Sequence, residues 1–117
     1  MSARRIERLN VLFREEISKL LQTGLKDPRV GFASISRVEI TDDLSYAKAY
    51  VSVMGTDKEK RDTMIGLNHS TGFIRTYLGK EIQIRKIPEI NFVLDRNLDY
   101  AQHINTILSD LKEKGDL

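Results

Sequence analysis

Cysteine is absent from this 117-residue chain, which removes disulfides, thiol catalysis and the common cysteine-containing zinc motifs. A reducing, cytoplasmic setting is the expectation that follows. Histidine is nearly absent as well. His69 and His103 are the only two, and no motif joins them to a nucleophile or sets metal-ligand spacing. There is no phosphate-binding loop and no dinucleotide-type glycine fingerprint. Nowhere do about 18 apolar residues run together, and Met1-Ser2-Ala3-Arg4-Arg5 is not followed by an apolar stretch, so neither a membrane span nor a secretion signal is expected. The chain reads as soluble and intracellular, catalysis finds little support, and a hydrolase with an unfamiliar site would need a pocket with converging polar groups.

Net charge is also small, at +2, too little to argue for a polyanionic partner by itself. Its distribution is uneven. Residues 1–37 carry eight Lys/Arg against four Asp/Glu, and residues 75–86 carry four against one, whereas the stretches between and after them are acidic. If the two basic segments meet in space they form a basic face, and local potential rather than net charge governs attraction to phosphate. With 40% hydrophobic and 31% charged residues, the chain has the makings of one domain with one core, spanning 1–117 with a frayed tail from about residue 113.

The stretch Lys58 to Gly79 is where local rules disagree. Met64, Leu67, Ile74 and Leu78, with Thr71 between them, follow the three-and-four spacing of a helix that buries one face. Ser70 and Thr71 nevertheless favour caps over helix interiors, and Gly66 and Gly72 each cost about 1 kcal/mol relative to Ala inside a helix. The period continues while the residues break it. A helix restarted near Gly72 would present fresh backbone N–H groups beside a residue without a Cβ, with Arg75 one turn on, an arrangement that suits phosphate.

The remaining elements frame that break. Arg4 to Gln22 predicts a first helix that buries Ile6, Leu9, Phe13, Ile17 and Leu20, while Arg4, Arg5, Arg8 and Lys19 fall within an arc of about 100° on another side. Arginines in a first turn oppose the helix macrodipole, so stability alone would not select them, and Val11 and Leu12 lie off the buried stripe. Thr23-Gly24 ends the helix. Pro28 makes Asp27-Pro28-Arg29 a defined turn, in which Arg29 either meets phosphate or anchors the loop to a carboxylate. Phe32 to Ile40 reads as a strand whose inward parity shifts between Ile35 and Val38, predicting a bulge at Ser36-Arg37. After an Asx-type turn over residues 41–45, Tyr46 to Val53 alternates a small face of Ala47, Ala49, Val51 and Val53 with Tyr46, Lys48 and Tyr50. Those tyrosines and the lysine could stack on and neutralise an RNA strand, or simply form a half-exposed sheet face. Thr56 and Glu59 form a capping box. Pro88 belongs at an edge or at the start of a third strand, placed at about Ile87 to Leu94, and Asp99 starts a last helix with Ala101, Ile104, Leu108 and Leu111 on its stripe.

The order is helix, strand, strand, helix, kink, helix, strand, helix, which predicts an α+β fold with helices on one face of a three-stranded mixed sheet. This order, with its broken helical pair, resembles the type II KH domain, in which a Gly-x-x-Gly turn grips single-stranded nucleic acid. That motif is absent here, and the break reads Ser70-Thr71-Gly72. The chain is more specifically similar to the ribosome-binding factor A family, which is itself KH-like and carries an Ala-x-Gly kink, with Ser70 here in place of the usual Ala. The resemblance rests on Arg4, Arg5, Asn10, Asp27-Pro28-Arg29, Val38, Ile40, Asp42-Asp43-Leu44, Ala47, Gly72-Phe73-Ile74-Arg75, Arg85, Pro88, Phe92 and Asp95, in that order. It implies a non-catalytic assembly factor for the immature small ribosomal subunit, active in late rRNA processing and folding and in growth in the cold, working beside ribosome-associated GTPases, as a monomer without a cofactor. The residues expected to meet rRNA phosphates are Arg4, Arg5, Arg8, Arg29, Ser70, Gly72, Arg75, Lys80, Arg85 and Lys86. A small protein-interaction module, docking through Val11, Leu12 and the tyrosine face, is the competing reading.

Overall fold

The computed structural model describes residues 3–25 and 27–95. Their element order is α1 (Ala3–Thr23), β1 (Ala33–Ile40), β2 (Tyr46–Val53), α2 (Asp57–His69), α3 (Thr71–Glu81) and β3 (Glu89–Leu94). This is the α+β arrangement expected, consistent with a type II KH-like fold; the last helix, expected from Asp99, lies outside the described residues.

Alternation builds the sheet. Ala47, Ala49, Val51 and Val53 of β2 are buried, and β2 is the central strand, antiparallel to β1 and parallel to β3. A two-helix crossover is what lets β3 run parallel. Two alanines at the centre of the inward face leave room for large neighbours, and the core includes Phe13 and Ile17 from α1, Leu67 from α2, Ile74 and Leu78 from α3, and Ile90 and Phe92 from β3. Each large side chain fully buried there stabilises the fold by about 1.5–3 kcal/mol.

The predicted bulge is present. The β1–β2 register shifts between Ile35 and Arg37, and the Ser36 hydroxyl donates to the Tyr50 carbonyl at 3.2 Å and to the Asp95 carboxylate at 2.7 Å. The inserted residue keeps Ile35, Val38 and Ile40 all buried despite their different parity. It also sets the Arg37 guanidinium 4.0 Å from the centre of the Tyr50 ring.

In α1 the stripe Ile6, Leu9, Phe13, Ile17 and Leu20 is buried as its spacing requires. Gly24, at φ 93°, closes the helix in the left-handed conformation, its N–H donating to the Leu20 carbonyl at 3.1 Å. The side-chain oxygen of Asn10 accepts from the Ile40 N–H at 2.9 Å, which ties α1 to the end of β1. Against the α3 side, the Tyr77 hydroxyl donates to Glu16 at 3.2 Å. Burial first, and then that carboxylate, push the Tyr77 pKa upward.

Thr56 and Glu59 form the capping box that starts α2. β3 begins at Glu89 rather than at Ile87, because Pro88 has no N–H to offer the ladder; the first residue able to donate, Glu89, gives its N–H to the Ser45 carbonyl at 3.0 Å.

Gly66 has a role that its cost to helix propensity conceals. The Asp27–Gly31 loop sits directly on α2 at this position, and a Cβ there would stand 2.8 Å from Val30 Cγ2 and 3.3 Å from the Val30 backbone nitrogen. One turn earlier, the buried Thr63 hydroxyl accepts from the Gly31 N–H at 3.1 Å and donates to the Arg29 carbonyl at 3.4 Å. Gly72 differs, since a Cβ there meets nothing within 4 Å. Replacing Gly66 with Ala should therefore destabilise the protein by about 1 kcal/mol in urea unfolding, overpacking outweighing the gain in helix propensity. Gly72→Ala should be neutral or stabilising by up to about 1 kcal/mol. Equal effects from the two substitutions would contradict this assignment of the close approach.

Candidate nucleic-acid interface

The break between α2 and α3 is a single residue. Ser70, at φ −93° and ψ 4°, is both the C-cap of α2 and the N-cap of α3. Its N–H is shared between the Gly66 and Leu67 carbonyls at 3.1 and 3.0 Å, and its own carbonyl accepts from the Ile74 N–H at 3.0 Å, so backbone bonding passes through the turn. The Ser70 hydroxyl donates backwards to Gly66 O at 2.8 Å and gives α3 no side-chain cap. The restart thus falls earlier than Gly72, which lies inside α3.

On one side of this kink is a cleft of about 620 Å³, closed by the first residues of β2 and β3. Asn68, Thr71, Gly72 and Arg75 form its helical wall, Ser45 and Tyr46 its β2 wall, and Lys86, Glu89, Ile90 and Asn91 its β3 wall. Arg75 is held in place by one donor, Nη2, at 2.9 Å from the Ile87 carbonyl; a guanidinium has five N–H donors, so the rest of its fork is not committed by that bond. Lys86 is exposed. Two cations thus face one carboxylate, Glu89, across a polar cavity, and the missing side chain of Gly72 leaves open space in its wall. The arrangement can hold a phosphate by charge and by fork geometry.

Of the residues expected to meet rRNA, the structure brings Gly72, Arg75 and Lys86 together here. Ser70 faces a separate cavity of about 350 Å³, with Leu25, Asp27, His69 and Phe73. Arg29 turns out to be a loop anchor: its Nε and Nη2 lie 3.0 and 2.6 Å from the two carboxylate oxygens of Asp27, and its backbone N–H donates to Asp27 at 2.9 Å. Arg4, Arg5 and Arg8 are exposed on the first turns of α1, Lys80 on the last turn of α3, and Arg85 in the segment before β3; the lining of the cleft includes none of them. Sequence reasoning did not select Asn68 and Asn91 for the site, and weighed Tyr46 as part of a tyrosine face that either stacks on RNA or is an ordinary half-exposed sheet face, without placing it at the kink. Asn68 stood beside the predicted break, but nothing local in the sequence places Asn91 opposite it.

Among the described residues, no group of His, Asp and Glu is arranged to hold a metal ion, and no helix is long and apolar enough to cross a membrane. A model of the family described as ribosome-binding factor A matches residues 5–108. The chain belongs to that family. It is 40% identical over 116 residues to the ribosome-binding factor A of Brevibacillus brevis, an alignment covering 99% of this chain and 96% of that one. The solution NMR structure of a Thermotoga maritima protein assigned to the same family superimposes with a TM-score of 0.69 at 37% identity, over 80% of this chain and 89% of that chain. A homology model of the Thermus thermophilus factor, fitted into a cryo-electron-microscopy map of its complex with the 30S subunit, shares the fold. Its TM-score is 0.63 at 19% identity, over 76% of this chain and 93% of that chain.

The Arg29 pair gives this region a pH signature. Hydrogen bonds from the Arg29 side chain, and then from its backbone, lower the Asp27 pKa from 3.8 to about 2. A carboxylate whose folded-state pKa lies below its unfolded one contributes stability above the unfolded value and loses it as pH falls through the folded value. The stability difference between the natural chain and Asp27→Asn should therefore be constant above pH ~4.5 and close between about pH 4 and 2. Unfolding curves recorded at a series of pH values check this, and a difference that persists unchanged at pH ~2 would contradict it.

Proposed function

We infer that this protein binds the immature small ribosomal subunit and assists the late processing and folding of its rRNA, by binding rather than by catalysis. The observation that carries this reading is the relation to ribosome-binding factor A across nearly the whole chain. The cationic cleft at the kink gives it a physical basis. In this reading Gly72, Arg75 and Lys86 meet rRNA phosphates from the cleft, while Arg4, Arg5 and Arg8 of α1 and Lys80 and Arg85 around the end of α3 extend the contact. Arg29 and Ser70 shape that surface, one by fixing the loop on α2 and the other by setting the kink. The protein acts in the cytoplasm as a monomer, beside ribosome-associated GTPases, and matters most in the cold, where misfolded rRNA escapes slowly.

Phosphate contacts of this kind confer affinity with little sequence choice and a steep dependence on salt. A second reading has its own observation: Val11 and Leu12 on α1 and Phe32 and Met54 at the end of the sheet are exposed, as a protein-docking surface would be. Salt separates the two, because apolar docking responds weakly to it.

Cosedimentation with small-subunit particles across a salt series is the test. The natural protein should lose affinity by about a thousandfold between about 50 and 200 mM salt if six or so phosphates are neutralised. Replacing Arg4, Arg5 and Arg8 together with Glu should release it at low salt while leaving its unfolding curve intact. Persistent binding of that variant at low salt would remove α1 from the interface, and salt-independent binding of the natural protein would favour the docking surface.

A further inference from the structure

Alternation puts an apolar pair on the sheet face that α1, α2 and α3 do not fill. Ala49, Val51 and Val53 of β2 belong to the core, so Tyr50, Ser52 and, continuing the strand, Met54 belong to the opposite, outer face. Ala33 pairs with Val53 and Ser34 with Ser52, and the Met54 N–H donates to the Phe32 carbonyl at 3.2 Å. Phe32 and Met54 therefore stand side by side on that face, 76% and 62% exposed. The short side chains of Ser34 and Ser52 form the next row, and half-buried Val93 of β3 lies opposite Tyr50 in the row after it. Two serines thus separate two rows of larger, mainly apolar side chains.

β3 delivers the chain to the same place. Leu94 pairs with Val51, the Asp95 N–H donates to the Val51 carbonyl at 2.7 Å, and the Asp95 carboxylate accepts from the Ser36 hydroxyl at 2.7 Å. Ser36 belongs to β1 and Asp95 follows β3, so this bond reaches across β2 and fixes the exit beside those rows. Residues 96–117 come next. Within them, Ala101, Ile104, Leu108 and Leu111 have the spacing of a helix that buries one face, and so short a helix is marginal in water until that face is packed. The inner face of the sheet is already occupied by α1, α2 and α3.

We propose that residues 99–111 form a helix seated on the outer face of the sheet, its apolar stripe against Phe32 and Met54 and over Ser34 and Ser52. The reach is sufficient: residues 96–98 span at most about 10 Å, and Met54 stands about 10 Å beyond Val51 along β2. A helix from Asp99 to Leu111 is about 20 Å long, enough to cross three strands. Attachment so close to the groove favours this segment over a second copy or a separate protein, because its effective concentration there is on the order of millimolar. The other large apolar residues exposed on helices, Val11, Leu12, Ile65 and Phe73, belong to the inner layer. The proposal stands independently of the rRNA-binding reading, and it removes Phe32 and Met54 from the surface open to a protein partner.

The chain contains no tryptophan and no cysteine, so an introduced residue of either kind reports on its own position. In the full chain, Phe32→Trp should emit at the short wavelength of a covered indole and resist acrylamide quenching at every protein concentration. Adding Ile104→Asp and Leu108→Asp should shift that emission to longer wavelength and restore quenching, whereas Ile65→Trp on α2 should be exposed with or without them. Since loss of the fold would also redden the emission, a second measurement keeps the stripe nearly whole. Met54→Cys, combined in turn with Ile104→Cys, Leu108→Cys and Leu111→Cys, should form an intramolecular disulfide with at least one of them, a bond that needs the two Cβ atoms within about 4.5 Å. Ile65→Cys in the same combinations should form none. A short-wavelength emission that fades on dilution would assign the face to a second copy. An exposed, freely quenched indole in Phe32→Trp would leave it open to another protein, and disulfides no more frequent from position 54 than from position 65 would place the segment elsewhere. Each of these outcomes overturns the proposal.

Discussion

One turn, at Ser70, decides how this molecule is arranged. A continuous helix from Asp57 to Glu81 would satisfy its backbone bonds, yet α2 and α3 are separate helices that meet at this residue. The break is confined to one residue, with its N–H still shared between two carbonyls of α2 and its C=O still bonded into α3, so the helix is interrupted without orphaning those groups in a half-buried region. An unmade bond there would cost on the order of 1–3 kcal/mol. The two arms of the turn then serve different purposes. Before it, Thr63 and Gly66 receive the loop that follows α1; after it, Arg75 fastens the segment leading to β3.

The sheet depends on a comparable economy. β2 pairs on both edges and turns alanine inward at two successive positions, both buried in the core that residues of α1 and α3 also enter. The same strand turns Tyr46, Lys48 and Tyr50 outward, so β2 serves core and surface at once, which strict alternation makes unavoidable. The bulge at Ser36 belongs to the same scheme: it corrects the inward parity of β1 and thereby brings Arg37 onto Tyr50, leaving Tyr46 as the ring that borders the cleft.

Much of this was legible because it is periodic or local. The α1 stripe, the capping box at Thr56, the left-handed Gly24, the Asx turn in which Asp43 accepts from Thr41 and Ser45, and the bulge each follow from spacing or residue type within a few positions. What escaped is what joins distant positions. Gly66 looked like a penalty on a helix because the residue that needs its missing Cβ, Val30, is 36 positions earlier in the sequence. Asn10 meeting Ile40, and Asn91 facing Asn68, leave no pattern in the chain. The break was expected within Ser70-Thr71-Gly72, with a restart near Gly72; it falls at the first of these residues, Ser70, whose hydroxyl bonds back to Gly66 O, and α3 begins at Thr71. Arg29 could serve phosphate or carboxylate, and its pairing with Asp27, two residues away, is what the fold adds to that choice.

The cleft at the kink gathers two of the eight sequence-selected cations, yet it combines charge, open backbone and an aromatic border in one place, and the functional account turns on it. Ultraviolet cross-linking of the protein bound to immature small-subunit particles, followed by mass spectrometry of the peptides that retain RNA, examines it directly. The account predicts adducts at Tyr46 and within the segments 68–75 and 86–91. Adducts confined to residues around Val11, Phe32 or Met54, with the kink and the start of β2 unmodified, would contradict it.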